Sequence, residues 1–328
     1  MSTLKFDPEL LAANPAFMKR PLPGFAPPQD VPTFRKINND ILTQLYSAIP
    51  YPPNVEESKH TVVGQDGTEI TITRFGTAAQ RNATSGSPQP ALVWVHGGGM
   101  VFGGVELQRP KIAAHVDDWG VQIFAVDYRL APEHRAPAAV EDCYAAIKWL
   151  SDNAVELSVD PARIAVVGES AGGGIAAGTA LLARDRGLSP PLAKQFLFYP
   201  MLDDRTSEKF KSDDPLSDLV IWSPETNRFG WCAYLGEDKA GNPEADVSPY
   251  AAPARAQSLA GLPSTYIDVS GLDIFCTESI DYAARLSAAR VEVEIHVFAG
   301  LPHGFDIQRG LSAVERAAEN RIRVMKTL

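Results

Sequence analysis

The chain has 328 residues, of which 45% are hydrophobic and 21% are charged, and its formal net charge is −10. This composition is typical of a globular protein with one large α/β domain and a smaller insertion, and the acidic charge argues against nucleic acids and anionic membranes as partners. The three cysteines lack C-x-x-C spacing and form neither a disulfide framework nor a zinc site, so we expect a cytoplasmic protein.

The first fifty-odd residues are rich in proline and contain one predicted helix. Apolar residues recur at helical spacing between Ile37 and Ile49, which predicts an amphipathic helix over residues 33–48. Residues 1–20 have no long apolar core, so we do not expect a signal peptide, and no later run reaches the length of a membrane span. This segment is interpreted as an arm that packs on a larger domain.

After the arm, the pattern predicts a hairpin and then alternating strands and helices. The hairpin turns at Asp66-Gly67, and residues 82–90 are predicted to form a polar loop. Several of the later strands are apolar throughout, as in a parallel sheet with helices on both faces, whereas the last one alternates with polar residues and is predicted to be a sheet edge. The predicted strands are 91–95, 121–126, 163–167, 195–199, 264–269 and 291–298, and the predicted helices are 107–119, 137–151, 172–186, 279–289 and 311–325.

One segment interrupts this alternation. Residues 203–247 contain aromatic side chains without strand periodicity, and a helix is predicted to begin at Ser223-Pro224 and to end at Gly236. We interpret the aromatic residues as the core of an insertion, with some of them lining a pocket.

Two glycine motifs follow predicted strands. Residues 168–172 read Gly-Glu-Ser-Ala-Gly and stand between an apolar run and a segment of small residues, the context of a nucleophilic serine on a sharp strand-to-helix turn. Residues 96–99 read His-Gly-Gly-Gly, and such a loop can aim backbone N–H groups at a developing oxyanion. The two motifs together, in this order, predict acyl-transfer chemistry at Ser170.

A serine nucleophile needs a general base, and the base needs an acid that holds its tautomer. Only two histidines follow Ser170 in the sequence. His296 lies inside a predicted strand, whereas His303 lies in a Pro-His-Gly loop directly after it, at the edge where sites of open α/β sheets form. We therefore predict His303 as the base.

Four aspartates are candidates for the acid, and Asp273 is preferred. It stands on the turn that leaves the sixth predicted strand at its carboxyl end. Asp268 lies within that strand and Asp281 on the next helix, where ordinary solvation explains them. Asp306 is close to His303 along the chain and remains an alternative.

Several linked motifs resemble the hormone-sensitive-lipase-like family of α/β-hydrolase esterases. They are His-Gly-Gly-Gly at 96–99, Asp-Tyr-Arg-Leu-Ala-Pro-Glu at 127–133, Gly-Glu-Ser-Ala-Gly-Gly at 168–173, Tyr199-Pro200 and Pro-His-Gly-Phe at 302–305. The resemblance covers about residues 91–305. The sequence departs from it at Glu169, where the family commonly has aspartate, and at Ile274-Phe275, where Pro-Leu is usual. The segment 128–133 offers no obvious chemistry, and we expect its charged residues to anchor a turn.

The resemblance implies a fold, a set of roles and an assembly. The fold is an α/β-hydrolase with a mostly parallel sheet and a helical cap built from residues 1–56 and 203–247, while residues 57–202 and 248–328 form the core. Ser170, Asp273 and His303 would be catalytic, and the amides of Gly98, Gly99 and Ala171 would form the oxyanion hole. Family members often form dimers through the last strand, here 291–298.

We therefore predict a serine carboxylesterase that acts on short- to medium-chain esters without a metal or an organic cofactor. The same site could also act on lactones, carbamates or amides, because the groups that choose the substrate lie in the cap. A non-catalytic small-molecule receptor on this fold is a further alternative, which would be expected to lack a member of the triad.

Overall fold

The computed structural model describes residues 2–19, 22, 30–82, 87–211 and 213–328. Parts of the predicted polar loop, at residues 83–86, and of the proline-rich arm lie outside the described residues. No helix in the described ranges has the length and apolar character that a membrane crossing requires.

One eight-stranded sheet organises the described chain, with strand order β1-β2-β4-β3-β5-β6-β7-β8. The first two strands form the predicted hairpin, β2 runs antiparallel to β4, and the remaining neighbours are parallel. Among the described residues the last strand pairs with one other strand, so its predicted edge position is confirmed. The strands are β1 Val55–Val63, β2 Glu69–Thr77, β3 Gln89–Val95, β4 Gln122–Asp127, β5 Val159–Glu169, β6 Lys194–Phe198, β7 Ser264–Leu272 and β8 Val293–Pro302.

Helices cover both faces of the sheet. The predicted helix starts and stops are close to the observed ones, but the short helices α1 and α3 were not anticipated. Ser223 caps α7 by accepting a hydrogen bond from the Thr226 amide, and Gly236 follows its last turn, as predicted. The helices are α1 Pro8–Ala13, α2 Val31–Ser47, α3 Ala78–Arg81, α4 Val105–Trp119, α5 Ala138–Asp152, α6 Ala171–Asp185, α7 Pro224–Leu235, α8 Cys276–Ala288 and α9 Ser312–Met325.

Two hydrophobic cores lie on opposite faces because side chains alternate along each strand. On β3, Val93 and Val95 belong to the core under α5, α6 and α8, whereas Leu92 and Trp94 belong to the core under α4 and α9. Since both faces are covered, a central strand such as β3 has no polar face. The continuous apolar runs of the sequence thus reflect burial on both sides.

The direction of the strands places the candidate site. β5, β7 and β8 are parallel, and they end directly before Ser170, Asp273 and His303. Their carboxyl ends therefore lie at one edge of the sheet, although 133 positions along the chain separate Ser170 from His303.

Candidate active site

Ser170 stands on a strained turn between β5 and α6. Its backbone has φ 56° and ψ −122°, a conformation that is unfavourable for a residue with a Cβ atom. The turn needs glycine at position 172, because a Cβ there would lie 2.2 Å from the Val95 carbonyl oxygen and 2.4 Å from that of His96. The predicted strand-turn-helix context of the serine is therefore present.

The three residues predicted to be catalytic form one hydrogen-bonded chain. Ser170 Oγ lies 2.9 Å from His303 Nε2, and His303 Nδ1 lies 2.6 Å from Asp273 Oδ2. Asp273 is buried, and its other oxygen accepts a hydrogen bond from the Phe275 amide, which fixes the carboxylate. The imidazole is packed edge-on against the rings of Tyr199 and Phe275. In this arrangement the imidazole can accept the serine proton while the carboxylate holds its other N–H.

The alternative acids lie elsewhere. Asp281 is exposed on α8, as expected. The interpretation of Asp268 as an ordinarily solvated residue was wrong, because it is fully buried and its carboxylate pairs with Arg321 at 2.7 Å. Asp306 also binds Arg321, at 2.9 Å, and its side chain makes no hydrogen bond to His303 in the described structure.

The glycine motif after β3 forms a loop beside Ser170. Gly98 has φ +129°, and a Cβ on it would lie 2.0 Å from the Phe102 carbonyl oxygen, so only glycine fits there. Within the described ranges, the amides of Gly98 and Gly99 donate to no protein acceptor, and the amide of Ala171 is one of the free N–H groups of the first turn of α6. These three amides are thus available to a ligand, although their predicted role as an oxyanion hole remains a prediction.

The charged residues of the segment 128–133, which follows β4, anchor a turn, as predicted. Arg129 binds the buried Asp142 at 2.6 Å and also Asp66, while Glu133 pairs with Arg35 of α2 at 2.8 Å. The Tyr128 hydroxyl donates to the His96 carbonyl at 2.8 Å. The segment therefore stabilises the glycine loop through Tyr128 and links it to the arm through Glu133.

A mostly apolar cavity of about 250 Å³ opens at Ser170 and His303. Its walls combine the glycine loop with side chains of the arm and of the insertion. The Trp222 ring packs on Gly99, where an added Cβ would come within 2.6 Å of it. Contributors from outside the sheet core are Asn14, Phe17, Ile41, Leu42, Leu45, Tyr46, Ile221 and Trp222. Among the described residues, no group of three or more His, Cys, Asp or Glu side chains could hold a metal ion, and the three cysteines are free.

The sequence did not predict a buried charge cluster around Glu169, the residue directly before Ser170. Gln108 and Lys111 of α4 bind the Glu169 carboxylate, and Tyr199 approaches it from the end of β6. A signal was present, because Gln108, Lys111 and His115 recur at i, i+3 and i+7 and so share one face of the predicted helix. That face is packed against the sheet rather than exposed to water, a fact that spacing alone does not give.

An elbow serine, an imidazole and a buried carboxylate at the carboxyl ends of parallel strands in one sheet define the α/β-hydrolase class of architecture. The sequence profile of the alpha/beta hydrolase fold matches residues 92–307. The chain belongs to this family, and the resemblance to its hormone-sensitive-lipase-like esterases is confirmed.

Several proteins with assigned names are similar in sequence to this chain over most of its length. Esterase LipI of Mycobacterium tuberculosis is 38% identical over 235 residues, which are 71% of this chain and 70% of that relative. Carboxylesterase NlhH of the same species is 35% identical over 298 residues, 84% of this chain and 87% of the relative. Among solved structures, a bacterial heroin esterase is 38% identical, covers 98% of both chains and superposes with a TM-score of 0.86.

Proposed function

We propose that the chain is a serine carboxylesterase that hydrolyses short- to medium-chain carboxylic esters through an acyl-enzyme on Ser170. The observation that carries the proposal is the hydrogen-bonded chain from Ser170 through His303 to the buried Asp273, at the opening of an apolar cavity. The esterase names of the similar proteins support the same chemistry.

The mechanism follows from the positions of these groups. His303 Nε2 takes the proton of Ser170 Oγ as the oxygen attacks the ester carbonyl, and Asp273 stabilises the imidazolium that forms. The free amides of Gly98, Gly99 and Ala171 receive the oxyanion of the tetrahedral intermediate. The imidazolium then protonates the departing alcohol, and a water molecule, deprotonated by His303, hydrolyses the acyl-enzyme.

The cavity limits the size of the substrate. A volume of about 250 Å³ lies below the range of about 300–1,000 Å³ that is usual for drug-sized ligands, and the lining is mostly apolar. We assign the cap that closes it to residues 1–56 and 203–247, because both segments supply lining side chains. Arg35 of α2 further links the arm to the glycine loop by donating to the Val101 carbonyl at 2.7 Å.

An ester series tests both the reaction and the size limit. With p-nitrophenyl esters from acetate to dodecanoate, we expect kcat/KM to be highest at acyl chains of up to about eight carbons and to fall for longer ones, because a cavity of about 250 Å³ encloses only part of a longer chain. Steady-state hydrolysis at fixed pH is the measurement. No turnover of any ester would contradict the esterase, whereas a maximum at dodecanoate would contradict only the size limit.

We also propose a homodimer through β8. The strand is a sheet edge, and Val297 on it is 46% exposed. Apart from the Gly300 carbonyl, which accepts from the Asp7 amide, β8 therefore offers backbone groups without a partner strand in the described structure, and an apolar side chain, to a second copy. Light scattering of the purified protein is expected to give twice the mass of one chain, and the mass of a single chain would contradict the proposal.

A further inference from the structure

A buried lysine joins the two segments that carry the serine and the histidine. Lys111 Nζ of α4 forms an ion pair with Glu169 and lies 3.5 Å from Asp306 Oδ2. The three side chains are only 6%, 4% and 11% exposed, in that order. An ion pair so far removed from water is strong only when its geometry is fixed, and removing one partner leaves an uncompensated charge.

The two carboxylates occupy special places along the chain. Glu169 directly precedes Ser170, and Asp306 stands three residues after His303. Any force that draws these carboxylates together therefore also draws the serine turn toward the histidine loop.

Lys111 is suited to hold both carboxylates at once. The Tyr199 hydroxyl also lies near both, 2.9 Å from Asp306 Oδ1 and 3.2 Å from Glu169 Oε2, but its single proton can be donated to only one of them. An ammonium group has three protons and a full positive charge. It can bind both oxygens while offsetting the repulsion between two buried anions.

We propose that Lys111 is a positioning residue, which binds Glu169 and Asp306 together and so keeps Ser170 Oγ within hydrogen-bonding distance of His303 Nε2. It touches neither the substrate nor the reacting atoms. The catalytic part of this inference rests on the proposed esterase function, whereas its geometric part does not.

The surrounding charges show what the loss of Lys111 would do. The cluster holds two cations, Lys111 and Arg321, and three carboxylates, Glu169, Asp306 and Asp268. Without the lysine, Glu169 would have no cationic partner, although it would still lie next to the Asp306 carboxylate. The two anions would then separate, or one of them would take up a proton. Other titratable groups that interact with the cluster or lie next to it include Tyr46, Tyr199, Tyr266, His96, Tyr128, His115 and Arg309.

The pKa shifts within the cluster have the same physical cause. Burial would raise the pKa of the Asp306 carboxyl, yet the charges of Lys111 and Arg321 hold it below its ordinary range. Burial would lower the pKa of the Lys111 ammonium, but Asp306 and Glu169 raise it instead. Removal of the lysine takes away one of the two cations that hold the pKa of Asp306 down, so this pKa should rise.

Kinetics of Lys111→Met, alone and combined with Glu169→Gln, test the proposal. The single variant is expected to lose about a hundredfold in kcat with little change in KM, the cost of a displacement of about 1 Å between reacting groups. The loss of kcat relative to the wild type should become smaller as the pH falls, because protonation of one carboxylate removes the repulsion between Glu169 and Asp306. The double variant has lost one cation and one carboxylate, so it should regain most of the rate without that pH dependence.

Two controls separate positioning from general stability. Arg186→Met breaks a half-buried ion pair with Glu141 just past the C-terminal end of α6, and its folded fraction should keep the wild-type kcat. If Lys111→Met does not fold, Asp306→Asn removes the other end of the bridge and should lower kcat by about tenfold. Wild-type kcat in the variant that is measured, or no recovery in the double variant, would overturn the inference.

Crystal structures at pH 8 test the geometric part of the inference, the distance between Ser170 and His303, independently of any measurement of turnover. In Lys111→Met, or in Asp306→Asn if the former does not fold, we expect the Ser170 Oγ–His303 Nε2 distance to exceed about 3.5 Å, beyond a hydrogen bond, against 2.9 Å in the wild type. A distance that stays at the wild-type value would refute the positioning role even if the protein hydrolysed no ester. A wild type without turnover would refute only the esterase.

Discussion

Replacement of Ser170 by alanine is expected to lower kcat for p-nitrophenyl butyrate by about a millionfold, while KM stays close to its wild-type value. The variant keeps the cavity, His303 and the free amides, so ester binding persists, but no oxygen is left to form the acyl-enzyme. Steady-state kinetics with protein purified away from host esterases would measure the loss.

Ser151→Ala is the matched control for this substitution, because Ser151 lies near the C-terminal end of α5 and does not line the cavity. It should leave kcat unchanged. Equal turnover by Ser170→Ala and the wild type would mean that the reaction uses another nucleophile, and the proposed mechanism would fail.

Asp273→Asn is expected to lower kcat by about ten thousandfold. The asparagine amide can accept or donate at His303 Nδ1, and where it donates, the imidazole proton moves to Nε2, the atom that must accept from Ser170. The fall should be in kcat rather than in KM, since Asp273 is buried and does not line the cavity.

Asp281→Asn provides the comparison for the acid. Asp281 has the same side chain, is exposed on α8 and should show wild-type kinetics in the same assay. Full activity in Asp273→Asn would move the acid to another carboxylate, for which Asp306 remains the nearest alternative along the chain.

The sheet could be predicted from the sequence because burial on both faces leaves a clear pattern. Each of the six segments predicted as strands after the hairpin overlaps an observed strand, and the polar alternation at Glu292 and Glu294 in the last of them identified the edge. The short helices α1 and α3 have too few residues for a periodic pattern, and their position depends on contacts with the rest of the fold. For example, the amide of Asp7, which caps α1, donates to the Gly300 carbonyl of β8.

The candidate site could be predicted as far as chain order and strand ends determine it. Ser170, Asp273 and His303 each follow a parallel strand, so the topology alone brings them to one edge. Lys111 and Asp268 could not be placed in this way, because local patterns do not reveal which polar side chain meets a partner across the fold. A buried charge and an exposed one look alike in a sequence.

The cap was the least predictable part for the same reason. Trp222 and Ile221 belong to an insertion without regular periodicity, and Phe17 belongs to an arm far from them in sequence, yet all three line one cavity. The substrate preference is therefore decided by contacts between segments that carry no common motif.

The most direct test of the account is to identify the residue that a p-nitrophenyl alkylphosphonate modifies, by peptide mass spectrometry of the inactivated protein. We predict one phosphonyl group per chain, located on Ser170, with loss of activity in proportion to labelling. A label on any other residue, or full activity after Ser170 has been labelled, would contradict the claim that this hydroxyl is the nucleophile.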